Sequence, residues 1–157
     1  MHYLVPIDFS DNSLKALDFA LALASSKVDR ITLIHVVETH YDFASQVEFF
    51  TKQQLQEGKK RGKELLASHE DSKINLKFKL VEGNPALQIT QLAAKQKVDL
   101  IVMGTKGASG ITKTLIGTVA VSVVREAACP VLIIPEAAVK TNLKQFVLGL
   151  EFADHEP

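Results

Sequence analysis

Four glycines fall within GTKGASGITKTLIGTV, residues 104–119, between the apolar runs VDLIVM and AVSVVREAA. A glycine-rich connection from strand to helix suits an anion. The free N–H groups and dipole of the helix start attract negative charge, and missing Cβ atoms leave room for a phosphate or permit positive φ. Gly104 ends the strand side, and Gly117 and Thr118 open the helix side. Thr118 offers the anion a hydroxyl donor or serves as a simple N-cap. Lys106 and Lys113 read as cations for the same anion or as solvated loop lysines. Two familiar phosphate loops do not fit. Gly110 is followed by Ile111 where GxxxxGK[ST] requires lysine, and no GxG of a dinucleotide fingerprint occurs here. What is left is Gly104, two residues, Gly107, nine residues, then Gly117-Thr118.

The other chemically capable residues are few. Asp8 in PIDFS closes a strand and reads as a turn or N-cap residue. It shares a crevice with Gly104 if the first and fourth strands are neighbours where the strand order reverses. His35 lies within a strand and reads as a core or strand-end histidine, while His2, His40, His69 and His155 have no metal-ligand spacing. Cys129 is the sole cysteine, which excludes an internal disulfide and a Cys-based metal cluster, and it reads as a small packing residue. A hydrolase needs a base to orient water and a placed cation to stabilise developing charge. The sequence offers Asp8 alone in the crevice, and neither SGGxD nor HxGH occurs. Such a site holds its anion rather than breaking it.

These residues need a framework, and the apolar pattern supplies one. YLVPID (3–8) reads as a buried strand, followed by an N-cap at Ser10 or Asp11 and a helix through Leu14, Leu17, Leu21, Ala24 and Val28. RITLIHVV (30–37) is the second strand. Residues 41–70 form a long polar helix with a loose start, despite Gly58 and Gly62, and INLKFKLVEG (74–83) a strand with one face less buried. Asn84-Pro85 is an N-cap followed by proline at the first helical position, and Ile89, Leu92, Ala93 and Gln96 continue that helix. VDLIVMG (98–104) is apolar throughout, as a parallel strand covered on both faces must be. Ile116, Val119, Ala120, Val123 and Ala127 mark a last helix face before the strand in CPVLIIP. The order βαβαβαβαβ predicts an α/β fold with a doubly wound parallel sheet.

The whole chain has 157 residues, 46% hydrophobic and 23% charged, enough for one domain with a sizeable core. Its 18 basic and 18 acidic side chains cancel, which removes the general electrostatic case for nucleic acid or an acidic membrane as partner. MHYLVPIDFS lacks the basic stretch and long apolar core of a signal peptide, and no apolar run approaches the ~18 residues of a membrane span. A reducing cytoplasm is the expected location.

PIDFS, LIHVV, MGTKGASGITKTLIGTVA with its G-x2-G-x9-G-[ST] spacing, and CPVLIIP together resemble the universal stress protein family over residues 3–135. The glycine spacing resembles the signature of its ATP-binding branch. The resemblance implies an open five-stranded sheet of order 3-2-1-4-5, adenine nucleotide alpha hydrolase-like, and ATP as ligand, with or without Mg2+. It implies that Pro6, Ile7 and Asp8 line the adenosine, Asp8 lying near the ribose or a metal-bound water. Val36 then presents backbone to adenine, Met103, Gly104 and Gly107 border ribose and phosphates, and Gly117, Thr118 and Val119 hold the phosphate tail. Thr118 stands where serine is commoner in the family and keeps the hydroxyl. The implied role is a stress-response regulator that keeps its nucleotide with little or no turnover. A slow ATPase or autophosphorylating protein, and a nucleotide-free dimerisation module, are the alternatives.

The resemblance also implies a homodimer through the strand at Val131–Pro135. The nucleotide-binding domain spans 1–137 and leaves a tail, 138–157. Within it, FVLGLEFADHEP (146–157) lies on YLVPIDFSDNSL (3–14) without gaps, Phe146 on Tyr3, Glu151 on Asp8, Phe152 on Phe9 and Asp154 on Asp11. The tail is a chance apolar strand or the start of a second, degenerate copy of the domain, which would pair in place of another chain.

Overall fold

Tyr3 and Val5 leave the first strand on one face and Leu4 on the other, and all three are buried. Both faces of that strand are therefore covered, as a parallel sheet requires. The computed structural model describes residues 1–24, 26–38, 45–105 and 117–139, with backbone alone at 45–50. Its elements are β1 (His2–Pro6), α1 (Asp11–Leu23), β2 (Arg30–Val37), α2 (Ser45–Ala67), β3 (Asn75–Glu82), α3 (Pro85–Gln96), β4 (Leu100–Gly104), α4 (Thr118–Glu126) and β5 (Val131–Ile134). The strands form one parallel sheet ordered β3-β2-β1-β4-β5, the expected doubly wound arrangement.

The two windings put helices on opposite faces, because each parallel crossover is right-handed. Residues of α1 such as Leu17 and Ala20 pack with Val5, Leu33 and Val102, and Leu65 of α2 joins them. On the other face Ile89 and Ala93 of α3 and Ala120 and Val123 of α4 pack with Leu4, Ile34 and Ile101. Each fully buried aliphatic side chain here contributes roughly 1.5–3 kcal/mol relative to exposure.

Local signals set the helix starts. Ser10 caps α1 by accepting from the Ser13 N–H, and Asn84 caps α3 by accepting from the Leu87 N–H at 3.0 Å, with Pro85 in the first turn. Gly58 and Gly62, poor helix formers, lie one turn apart where α2 meets the sheet. A Cβ at Gly62 would stand 2.2 Å from the Phe78 ring, and one at Gly58 2.9 Å from His35 Cδ2. The two glycines thus let a polar helix sit close on β2 and β3.

Two sequence expectations shift. Val28 is not on the first helix: α1 ends at Leu23, and Val28 sits 84% exposed in the turn before β2. That turn closes locally, since Asp29 N–H donates to Ser26 O and Ser26 N–H to Asp29 Oδ2, which competes with another helical turn. β1 ends at Pro6 rather than Asp8, although Ile7 N–H still donates to Ile34 O. Residues 41–44, expected as a loose helix start, and the tail repeat at 146–157 lie outside the described residues. Among those described, no helix is long and apolar enough to cross a membrane.

His2 opens β1 in a buried position, with Nε2 hydrogen-bonded to Thr32 Oγ1 at 2.8 Å. Burial first, and the Arg30 charge second, lower its pKa from the ordinary 6.5. The unfolded chain therefore takes up this proton more readily than the folded one. Stability is retained above about pH 6.5 and lost as pH falls below it. Urea midpoints measured from pH 8 to 5 are expected to hold steady and then decline, with a shallower decline in His2→Gln. Superposable profiles for the two proteins would show that His2 is not the source.

Candidate functional site

Where the strand order reverses, β1 and β4 are neighbours, pairing Tyr3 with Leu100 and Leu4 with Ile101. A crevice of about 310 Å³ opens beyond their carboxyl ends. Pro6 enters it from the end of β1, Ile7 and Asp8 from the turn that follows, Val36 from β2, Met103 and Gly104 from β4, and Gly117, Thr118 and Val119 from the start of α4. Gly107 lies outside the described residues, as do Gly110, Lys106 and Lys113. The sequence reading also missed part of the lining. Glu38 stands just past β2, Thr105 just past β4, and Ser13, Ile34, Pro85, Ile89 and Ala120 complete the walls. Pro85, Ile89 and Ala120 carried a signal only as helix-start or core residues, and that is also what they are.

The backbone of β2 is directed into the crevice at Val36. Ile34 O accepts from Ile7 N–H toward β1, whereas Val37 O accepts from Gly83 N–H toward β3. Alternate residues of a strand face alternate neighbours, so the N–H and C=O of Val36 point to the β1 side. There β1 has already ended at Pro6. A donor and an acceptor on one strand edge suit the hydrogen-bonding edge of a planar base.

The turn after β1 is tightly specified. Asp8 Oδ1 accepts from Ser10 N–H at 3.0 Å and Ser10 Oγ–H at 2.6 Å, so Asp8 is a turn residue and lines the crevice as well. Ile7 O accepts from His35 Nδ1 at 2.7 Å, and burial lowers the pKa of His35 and favours the neutral ring. Phe9 follows with φ 63, a left-handed conformation that costs a bulky residue roughly 1–2 kcal/mol. A second hollow of about 590 Å³ lies between β2 and α2 and shares Asp8, Val36 and Glu38 with the first.

Gly104 and Gly117 also have structural roles of their own. Gly117 is the N-cap of α4 with φ −70 and ψ 154, so it needs no left-handed backbone, and Thr118 is the first helical residue rather than the cap. Among the described residues no side chain caps this helix, in contrast to α1 and α3. Its first residues, whose N–H groups have no partner within the helix, line the crevice. Among the described glycines only Gly83 has positive φ. Gly104 is instead required by packing, because a Cβ there would stand 2.6 Å from Asn12 Nδ2. Asn12 Nδ2 donates to Thr105 Oγ1 at 3.3 Å, and Thr105 O accepts from Gly117 N–H, which joins the two ends of the glycine loop. Asn12 had only a turn signal, in SDNS.

The charged groups among the described lining are Asp8 and Glu38. No group of three or more His, Cys, Asp or Glu side chains with metal-holding geometry occurs among the described residues. The arrangement supplies backbone donors at one end, a strand edge at the other, and an apolar floor between them.

Comparison with known proteins accords with this geometry. The profile of the universal stress protein family matches residues 1–135. A universal stress protein of Methanocaldococcus jannaschii is 33% identical over 135 residues, covering 83% of this chain and 79% of its own. The structure of a second universal stress protein of that organism superposes with a TM-score of 0.76 at 28% identity, over 85% of this chain and 94% of its own. A universal stress protein solved in complex with cAMP superposes with a TM-score of 0.61 at 25% identity, over 85% and 96%.

If Gly104 is held by packing, Gly104→Ala is expected to destabilise the protein without any ligand, by roughly 1–3 kcal/mol of overpacking. Asn12→Ala in the same chain removes the nearest clash and should recover part of that loss. Chemical denaturation decides it: an undiminished midpoint in Gly104→Ala would assign the glycine to ligand approach instead.

Proposed function

The chain belongs to the universal stress protein family, and on that premise we propose that its crevice binds an adenine nucleotide and holds it with little or no turnover. The observation that carries this reading is the uncapped start of α4, which shares one crevice with the open strand edge at Val36. The first suits phosphate and the second suits adenine. A related structure with cAMP bound supports the class of ligand.

In this reading Pro6, Ile7 and Asp8 line the adenosine and Val36 pairs with the base. Met103, Gly104 and Gly107 border ribose and phosphates, and Gly117, Thr118 and Val119 hold the tail. ATP with Mg2+ is the proposed form, the metal reached by Asp8 through water. Cytoplasmic stress-response regulation is the proposed setting. Retention without turnover follows from the chemistry of the walls. The described lining has no histidine or lysine to move a proton, and Asp8 Oδ1 is engaged by Ser10.

Titration calorimetry with AMP and with ATP plus Mg2+ is expected to show saturable binding. Thr118→Val should weaken ATP about fivefold, the loss of one hydrogen bond, and affect adenosine less. No saturable heat at millimolar nucleotide would sink the reading. Phosphate release above an Asp8→Ala control would replace holding by slow hydrolysis.

A second reading, a homodimer or a tandem pair through β5, draws on the two sheet edges. β3 exposes Lys77 and Lys79, charges that discourage a further strand, whereas β5 is uncharged along Val131–Ile134. Pro130 O and Ile134 O accept from β4 and its exit, so the N–H of Ile133 faces the free edge. Ile133→Pro removes that donor and leaves the β4 ladder intact. Light scattering at tens of micromolar should find a dimer for the parent and a monomer for the variant. A monomeric parent counts against self-pairing, and a dimeric variant counts against this edge.

A further inference from the structure

Asp8 lies between two carbonyl groups that are each held from another element. On one side Ile7 O accepts from His35 Nδ1 of β2. On the other, Phe9 O accepts from Arg61 Nη2 of α2 at 3.4 Å, across 52 residues of chain. The same guanidinium lies 4.4 Å from the centroid of the Phe9 ring. That ring meets His35 at 4.7 Å and Phe78 at 6.3 Å, so three side chains from β2, α2 and β3 surround it. The left-handed backbone at Phe9 turns the chain between Asp8, which lines the crevice, and Ser10, which caps α1. A bulky residue keeps such a conformation only where its surroundings over-determine it.

We infer that Arg61 is a positioning residue for the crevice: it latches Phe9 and thereby fixes the direction of Asp8. This rests on the nucleotide reading above for its consequence, though not for its geometry. Arg61 borders the second hollow and is not among the described residues that line the crevice, so its effect on a ligand there passes through the turn. The guanidinium suits the task because its planar face stacks on the ring while an N–H reaches the carbonyl. Arg61 is exposed, so its removal leaves the two cores intact.

The test pairs AMP titration with amide hydrogen exchange of the nucleotide-free chain. Arg61→Ala is expected to weaken AMP about three- to fivefold, the worth of an exposed cation–π contact. That loss should vanish in an Asp8→Asn background, because it passes through Asp8, and Arg61→Lys, which keeps a cation over the ring, should fall between. Without nucleotide, Arg61→Ala should speed exchange of the Ser10 amide about tenfold while Val5 keeps its rate. Losses that simply add in the double variant, or unchanged exchange at Ser10, overturn the latch. If the parent binds no AMP, the nucleotide reading falls, and the exchange rates still decide the latch.

Discussion

β1 is shorter than the strand it lies against, and the crevice exists because of that difference. Its ladder with β2 ends at Pro6 opposite Ile34, while β2 runs on to Val37. The peptide groups of β2 beyond that point cannot pair with β1, and in the interior of a sheet such groups must find another partner. The reversal of winding between β1 and β4 keeps both helical layers from closing over the gap. α3 and α4 stand on one side of it, and the turn leading to α1 stands on the other. A buried central strand that stops early thus sets the position, depth and polarity of the site together.

The helix ends divide the same way. Ser10 and Asn84 satisfy first-turn N–H groups of α1 and α3 with their own side-chain oxygens, which closes those ends locally. Gly117 has no such atom, and the first residues of α4 line the crevice. Identical backbone physics therefore yields two termini closed by their own side chains and one, at Gly117, that is not. Glycine serves close approach more often than unusual dihedrals here. At Gly58, Gly62 and Gly104 a Cβ would collide with His35, Phe78 and Asn12 respectively. Gly104 is the instructive position, since a residue of the loop signature is also the contact that seats α1 against β4.

Much of this was legible in the residues before any coordinates. RITLIHVV is β2 to the residue, and Asn84-Pro85 begins α3 as its cap and first position. These features succeed because their causes are local: a run of β-branched residues, a side-chain acceptor, a ring with fixed φ. The end of α1 was less legible. Val28 continues the helical spacing, but the Ser26–Asp29 turn competes for the same backbone and prevails. Asp8, Val36, Gly104 and Gly117 were singled out by motif and resemblance, and the fold brings them to one crevice. Asn12 and Arg61 carried no such mark, because a polar residue in a first turn and a basic residue on a polar helix are ordinary by type and spacing.

By itself, then, the sequence determined the elements, their order, the parallel sheet and the identity of the loop that could meet an anion. Periodicity, caps and a glycine spacing are properties of neighbours along the chain. Only the tertiary structure decided that β1 ends before β2, that Gly104 is small on account of Asn12, and that Arg61 reaches Phe9. Those facts depend on distances between residues tens of positions apart. Such distances are set when two helical layers settle on a twisted sheet, and no local pattern encodes them.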